Sequence, residues 1–161
     1  MPVITAARAG SQNRVALLAA ITMSELGAAL INGSDSGYNV LVGSTPSAIH
    51  TFHSYADHPR IRCAALNSDA AGAYQIMSKW WPHYKAQLGL PDFGPLSQDL
   101  YAIQQMRERK ALPFIDVGNL YAAVAQINNI WASLPGSPYG QHTNSMDFIE
   151  AAYTAAGGTL K

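Results

Sequence analysis

The sequence predicts an α+β domain, mostly helical, with a small β-containing lobe and a cleft between the parts. Three observations carry this. Apolar residues recur with helical spacing from Asn13 to Leu30. Turn residues and a short β-like run dominate from about 32 to 70. Helical signals with recognisable ends return after Ser78.

The first helix has Ser11 or Asn13 as candidate caps, and Gly27 weakens its end. The next stretch, "NGSDSGYNVLVGSTPS", sets turn residues around the β-like run Tyr38–Val42. "AIHTFHSYADHPRIRCAALNSD" reads mostly as loop. Ser78 is a candidate cap for a helix over "KWWPHYKAQL", where Pro82 falls in the first turn and Gly89 ends it. Ser97 opens "QDLYAIQQMRERKAL". Asp116 or Asn119 begins "LYAAVAQINNIWASL", which Pro135 ends. A last helix runs from about Ser145 to Ala156 and stops at Gly157. No internal repeat interrupts the pattern, so residues 1–161 read as one domain.

The 161 residues suffice for one domain with a full core. Ten Lys and Arg balance ten Asp and Glu, so no electrostatic footprint for nucleic acid or an anionic membrane is present. An uncharged polymer such as a glycan stays open. The single cysteine, Cys63, forms no internal disulfide, so the fold does not depend on an oxidising compartment. Arg8 and Arg14 precede the apolar run "VALLAAITM", but no small-residue cleavage site follows it directly. The expectation is an uncleaved, buried first helix, the apolar run being too short to span a bilayer.

One carboxylate stands out within "AITMSELGAAL". With Val15 as origin, Leu18, Ile21 and Glu25 fall at about 300°, 240° and 280° around the helix. Glu25 thus lies on the apolar face, in the last turn before Gly27. Desolvation and the negative helix end both favour its protonated form. A carboxylic acid that keeps its proton near neutral pH is what acid-catalysed glycosidic cleavage requires. The competing reading is a solvated surface glutamate.

Ordered blocks then give a resemblance. "SELG" around Glu25, "GYNVLVG" (Gly37–Gly43), "YADHPR" (Tyr55–Arg60) and "GAYQIMSKWW" (Gly72–Trp81) are followed by "QLGLPDFGPLSQD" (Gln87–Asp99), "QQMRERKALPFID" (Gln104–Asp116), "NIWASLPGSPYGQ" (Asn129–Gln141) and "AAGGT" (Ala155–Thr159). Together these resemble the lambda-type lysozymes, a family of phage endolysins that act as lytic transglycosylases. The resemblance implies a lysozyme-like fold and cleavage of the β-1,4 bond between N-acetylmuramic acid and N-acetylglucosamine, leaving a 1,6-anhydromuramoyl end. It places the catalytic glutamate on Glu25. It implies no cofactor and no metal. It implies a protein that accumulates in the host cytoplasm and reaches the periplasm and cell wall through a lesion made by a phage holin. A monomer without stable membrane insertion is expected.

Glycosidases that add water generally need a second carboxylate. Asp35, Asp57 and Asp69 are the candidates; Asp35 suits a solvated turn and Asp57 a turn or salt bridge. Asn39 stands where the family pattern has aspartate, and an amide cannot act as base. This favours a mechanism with one acid. Within "GAYQ", which resembles the family's glycine-x-x-glutamine element, Gln75 and Tyr74 are candidate substrate contacts; Ala73 replaces the pattern's arginine. Tyr139 and Gln141, after a Pro/Gly loop, are further candidates, since tyrosine both stacks on sugars and hydrogen-bonds them. Asn39 is kept with this substrate-binding group. Trp80, Trp81 and Trp131 lie in helical settings and read as core. His50, His53, Asp57, His58 and Cys63 raise a zinc site, but solvated loop histidines are the default. Two alternatives remain: a hydrolytic muramidase using Asp35 or Asp57, and a non-catalytic glycan-binding virion protein.

Overall fold

The computed structural model describes residues 2–161. Helices α1 (Ala6–Ala9), α2 (Gln12–Asn32), α3 (Trp81–Leu88), α4 (Pro95–Glu108), α5 (Leu112–Asp116), α6 (Leu120–Ile127) and α7 (Met146–Ala155) follow in chain order. The chain forms two compact units. One joins Met1–Glu25 to Ala102–Lys161; the other is Leu26–Tyr101.

The first unit is helical. Leu17, Leu18, Ile21, Ile115, Ile127 and Ile149 are completely buried within it. Asn119 caps α6 by accepting from the Ala122 N–H, and Ser145 caps α7 by accepting from the Phe148 N–H. Asn13 lies inside α2 rather than at its cap. It is buried, donating to the Ile115 carbonyl and accepting from the Thr159 N–H. Ser11 has the capping role, its hydroxyl accepting from the Arg14 N–H. Helix α6 stops at Ile127, earlier than expected, and the chain continues to Pro135 in turns. The short helix α5 packs against α6.

Asp116, in α5, receives Arg14 Nε at 2.8 Å and Nη2 at 2.6 Å, and the Ser11 hydroxyl at 2.9 Å. The Arg14 guanidinium beside it, aided by Ser11, holds its carboxyl below the usual range. A depressed folded value adds stability that is present above the unfolded value of about 3.8 and lost as pH falls through the folded one. Asp116→Asn is therefore expected to lower stability at pH 7 by about 1 kcal/mol for this partly exposed pair. The gap should close in acid, and urea titrations at pH 7 and pH 3 measure it.

The second unit has little regular structure. The β-like run makes only isolated antiparallel bridges, Val40 with Thr51 and Leu41 with Ala71, and not the ladder a strand would form. Loops instead are held by side chains. Phe93, completely buried, meets Trp81 edge-on at 4.8 Å, His58 at 4.7 Å and Phe52 at 5.9 Å. Leu26, Leu30 and Val40 form a second apolar cluster. Beside them lies a buried polar node. Asp99 Oδ1 accepts the hydroxyls of Tyr38 (2.7 Å) and Tyr74 (2.5 Å). Gln98 donates to the carbonyls of Tyr38 and Phe93 and accepts from the Ala73 N–H. These bonds satisfy loop backbone that would otherwise be buried unpaired.

Three further expectations are corrected. Ser78 does not cap α3: its N–H and hydroxyl donate to Asp69, and α3 begins at Trp81 after an uncapped Trp80. Trp80 is not core; it is 53% exposed, with the Lys79 ammonium 5.1 Å from the ring centroid, whereas Trp81 and Trp131 are buried. Helix α2 runs 21 residues and contains an 18-residue stretch of mean hydropathy 1.7, so by length and composition it is not too short to cross a bilayer. Much of it is packed inside the protein, and Ala16–Ile21 are all buried.

Candidate active site

Helix α2 is interrupted at Gly27, whose φ of 72° and ψ of 163° are not helical. A left-handed φ of this kind suits glycine, because other residues pay a steric penalty there. A Cβ at this position would meet nothing within 4 Å, so the requirement is the backbone's own. Glu25 therefore closes the regular part of the helix, below the completely buried Leu18 and Ile21. The residue is partly exposed, yet its carboxyl group is largely withdrawn from water.

Glu25 Oε1 accepts two hydrogen bonds from Ser133, from the hydroxyl at 2.5 Å and from the N–H at 3.4 Å. Ser133 Oγ lies 2.8 Å from Ser24 Oγ. Asn144 Nδ2 donates to the Ser24 hydroxyl at 3.0 Å and to its carbonyl at 3.1 Å. The Asn144 N–H donates to the Ser133 carbonyl at 2.8 Å. Burial raises the Glu25 carboxyl above its ordinary value of 4.5; the two Ser133 hydrogen bonds oppose this without cancelling it. The group is an acid whose neutral form is favoured by its surroundings and whose anion still has two donors waiting.

Ser24, Ser133 and Asn144 are the residues that sequence reasoning missed. Ser24 and Ser133 stand inside the motifs "SELG" and "NIWASLPG", which marks those blocks as more than markers of family. Asn144 lies outside every block and carried no signal.

The loop that supplies Ser133 is tied to itself. Asn128 Nδ2 donates to the carbonyls of Pro135 and Gly136, and the Tyr139 hydroxyl to the Asn129 carbonyl at 2.7 Å. Tyr139 is 56% exposed, with its hydroxyl engaged, and Gln141 is exposed.

In the other unit the "GAYQ" element is a tight turn between bridge partners Ala71 and Ile76. Gly72, with φ of 81°, approaches Gln98 so closely that a Cβ would stand 2.1 Å from Oε1. Gln75 donates its side-chain amide to the Gly72 carbonyl at 3.0 Å and is half-buried. Tyr74 stands elsewhere than expected: it is buried, and its hydroxyl ends on Asp99. Ala73 is buried as well. Asn39 Oδ1 accepts from the Asp35 N–H at 3.0 Å, fixing the turn that precedes it.

The three other candidate carboxylates are committed. Asp35 accepts the Tyr55 hydroxyl at 2.7 Å. Burial would raise Asp57, but Trp81 Nε1 at 2.7 Å and Lys85 Nζ at 3.1 Å outweigh it and bring the carboxyl down to about 2. Asp57 is thus the salt-bridge residue the sequence suggested, with Arg60 3.7 Å away. Asp69 serves Ser78. His58 is buried: Nδ1 accepts from the Arg60 N–H, so Nε2 carries the hydrogen given to the Ile76 carbonyl. Both ring nitrogens of this neutral imidazole are used in structure, while His50 and His53 are exposed.

Comparison with known proteins agrees with this architecture. The family model described as Endolysin matches residues 15–160. The endolysin of Escherichia phage lambda is 47% identical over 129 residues, 78% of each chain. The endolysin of Escherichia phage P2 is 41% identical over 166 residues, 98% of each chain. Bacteriophage lambda lysozyme in complex with a chitohexasaccharide superposes with a TM-score of 0.83 at 42% identity, covering 94% of this chain and 97% of the other. A second structure of lysozyme from bacteriophage lambda gives 0.80 at 40% identity and the same coverage. The fold is lysozyme-like, and the chain belongs to the endolysin family.

Proposed function

We propose that the chain cleaves peptidoglycan as a lytic transglycosylase, with Glu25 serving as acid and then as base. The coarser statement follows from family and fold: it is a peptidoglycan-degrading endolysin of host-cell lysis. One observation carries the finer reading. Glu25 is a desolvated carboxyl with a raised pKa, while Asp35, Asp57 and Asp69 are each engaged in structural hydrogen bonds.

In the first step the Glu25 proton passes to the glycosidic oxygen as the bond from C1 of N-acetylmuramic acid breaks. In the second the carboxylate removes the proton of that sugar's 6-hydroxyl as its oxygen bonds to C1. The products are a free N-acetylglucosamine 4-hydroxyl and a 1,6-anhydro ring. No second carboxylate and no water enter, which suits an asparagine at position 39.

The chitohexasaccharide held by the lambda relative supports a glycan as ligand. Tyr139 and Gln141 are proposed sugar contacts, Tyr139 through the ring face that its engaged hydroxyl leaves free. Gln75 and Asn39 are proposed substrate contacts as well, each through the side-chain atom left over from its turn, since Gln75 Nε2 donates to the Gly72 carbonyl and Asn39 Oδ1 accepts from the Asp35 N–H; the buried Tyr74, its hydroxyl on Asp99, is not carried among them. Access to the wall from the host cytoplasm is proposed to depend on a holin.

The test is the mass of the released muropeptides. Anhydro ends are expected, lighter by one water than hydrolysed ends. Reducing muramic acid ends would make the chain a hydrolytic muramidase. Binding to cell walls without release of muropeptides would make it a glycan-binding protein.

A further inference from the structure

We infer that Ser133 is the positioning residue of Glu25: held by Ser24 and Asn144, it fixes Oε1 as the acceptor oxygen and leaves Oε2 to carry the reacting proton. The inference rests on the reading of Glu25 as acid and base.

With Glu25 ionised, the direction of each hydrogen follows from counting. A serine hydroxyl has one hydrogen, and Ser133 gives it to Glu25 Oε1 at 2.5 Å. The 2.8 Å contact between the two serine oxygens must then run from Ser24 to Ser133. The Ser24 hydrogen is shared with the Ser133 carbonyl at 3.3 Å. Ser24 Oγ in turn accepts from Asn144 Nδ2, whose two hydrogens reach Ser24 Oγ and the Ser24 carbonyl. The chain of donors has one polarity, from Asn144 through Ser24 and Ser133 to the carboxyl. Such chains strengthen each member by polarisation.

This polarity makes the two carboxyl oxygens unequal. Oε1 faces two donors from Ser133. A proton on Oε1 would turn the Ser133 hydroxyl away toward Ser24 and reverse the chain, whereas a proton on Oε2 leaves both Ser133 donors on Oε1. When Oε2 gives that proton away, the new charge spreads to Oε1 and is met at once by the hydroxyl and the N–H. When the carboxylate acts as base, Oε2 takes a proton back. The donors are in place before charge develops, the arrangement that stabilises a transition state at least reorganisation. Burial raises the Glu25 carboxyl, and the two Ser133 hydrogen bonds pull it back down.

The test uses the full chain and soluble glycan strands. Ser133→Ala is expected to lower kcat by about 10- to 100-fold, the worth of one hydrogen bond to a charged group. KM should stay nearly unchanged. The high-pH limb of activity should move to higher pH, because the anion has lost a donor. Ser133→Thr, which restores a hydroxyl, should recover both kcat and the limb. Ser24→Ala should move the limb the same way by less, and it decides the matter if Ser133→Ala does not fold. A normally melting Ser133→Ala protein with wild-type kcat and limb would overturn the inference. So would lost activity without displacement of the limb. Glu25→Gln separates the two readings: if that variant stays active, the assignment of Glu25 fails whatever Ser133 does.

Discussion

Glu25→Gln is expected to abolish muropeptide release and, at neutral pH, to raise the melting temperature. The first effect follows because an amide neither gives nor takes the proton. The second follows from linkage. Glu25 has a folded pKa raised above its unfolded 4.5 by burial. Its stabilising contribution is full below the unfolded value and is lost as pH rises through the folded one. Each tenfold difference in proton affinity is worth about 1.4 kcal/mol. At pH 7 the wild-type fold carries that cost, and glutamine removes it while still accepting from Ser133 through its amide oxygen. Each kcal/mol recovered shifts the midpoint of a domain this size by roughly 2–4 °C. Calorimetry at pH 7 and pH 4 should show a stabilised variant at the first and near-equal proteins at the second. A variant less stable at pH 7, or one that still lyses, would contradict the assignment.

The second large effect concerns the polar node of the loop-rich unit. Asp99→Ala is expected to cost about 2–6 kcal/mol, since it removes an acceptor that two buried hydroxyls share, at about 1–3 kcal/mol each. Tyr38 and Tyr74 are both buried and both end on Oδ1. Tyr38→Phe and Tyr74→Phe each remove one donor but leave an acceptor that keeps the other, so each should cost about 0.5–1.5 kcal/mol. Asp99→Asn keeps an oxygen in place and should fall between the two. Urea unfolding of the four proteins ranks them. An Asp99→Ala protein with the wild-type midpoint would show that the node is ornamental, and that the aromatic residues around Phe93 hold the unit alone.

Helix positions and the withdrawal of the Glu25 carboxyl from water were largely legible in the sequence, because both depend on local periodicity. The 3.6-residue repeat put Glu25 beside Leu18 and Ile21, and capping chemistry placed Asn119 and Ser145. The errors share a cause in contacts between distant residues. Ser78 has the chemistry of a cap, but Asp69 claims it first. Tyr74 has the chemistry of a sugar contact, but Asp99, 25 positions away, takes its hydroxyl. The β-like run of Val40 has strand propensity, yet its neighbours offer single bridges. Ser133 and Asn144 became visible only when the fold brought them 108 and 120 positions back to the SELG motif.

That separation also has a consequence in time. The unit containing Glu25 is discontinuous, with Leu26–Tyr101 inserted between its two parts. During synthesis Glu25 emerges early, but Ser133 and Asn144 follow more than a hundred residues later. The inserted unit is complete in sequence before its host is, so it can fold on the ribosome while the helical unit still waits for its second half. Non-local closure of this kind is the slow part of folding. Glu25 thus gains its hydrogen-bond donors last, and a chain stopped before Ser133 would carry the carboxyl without them.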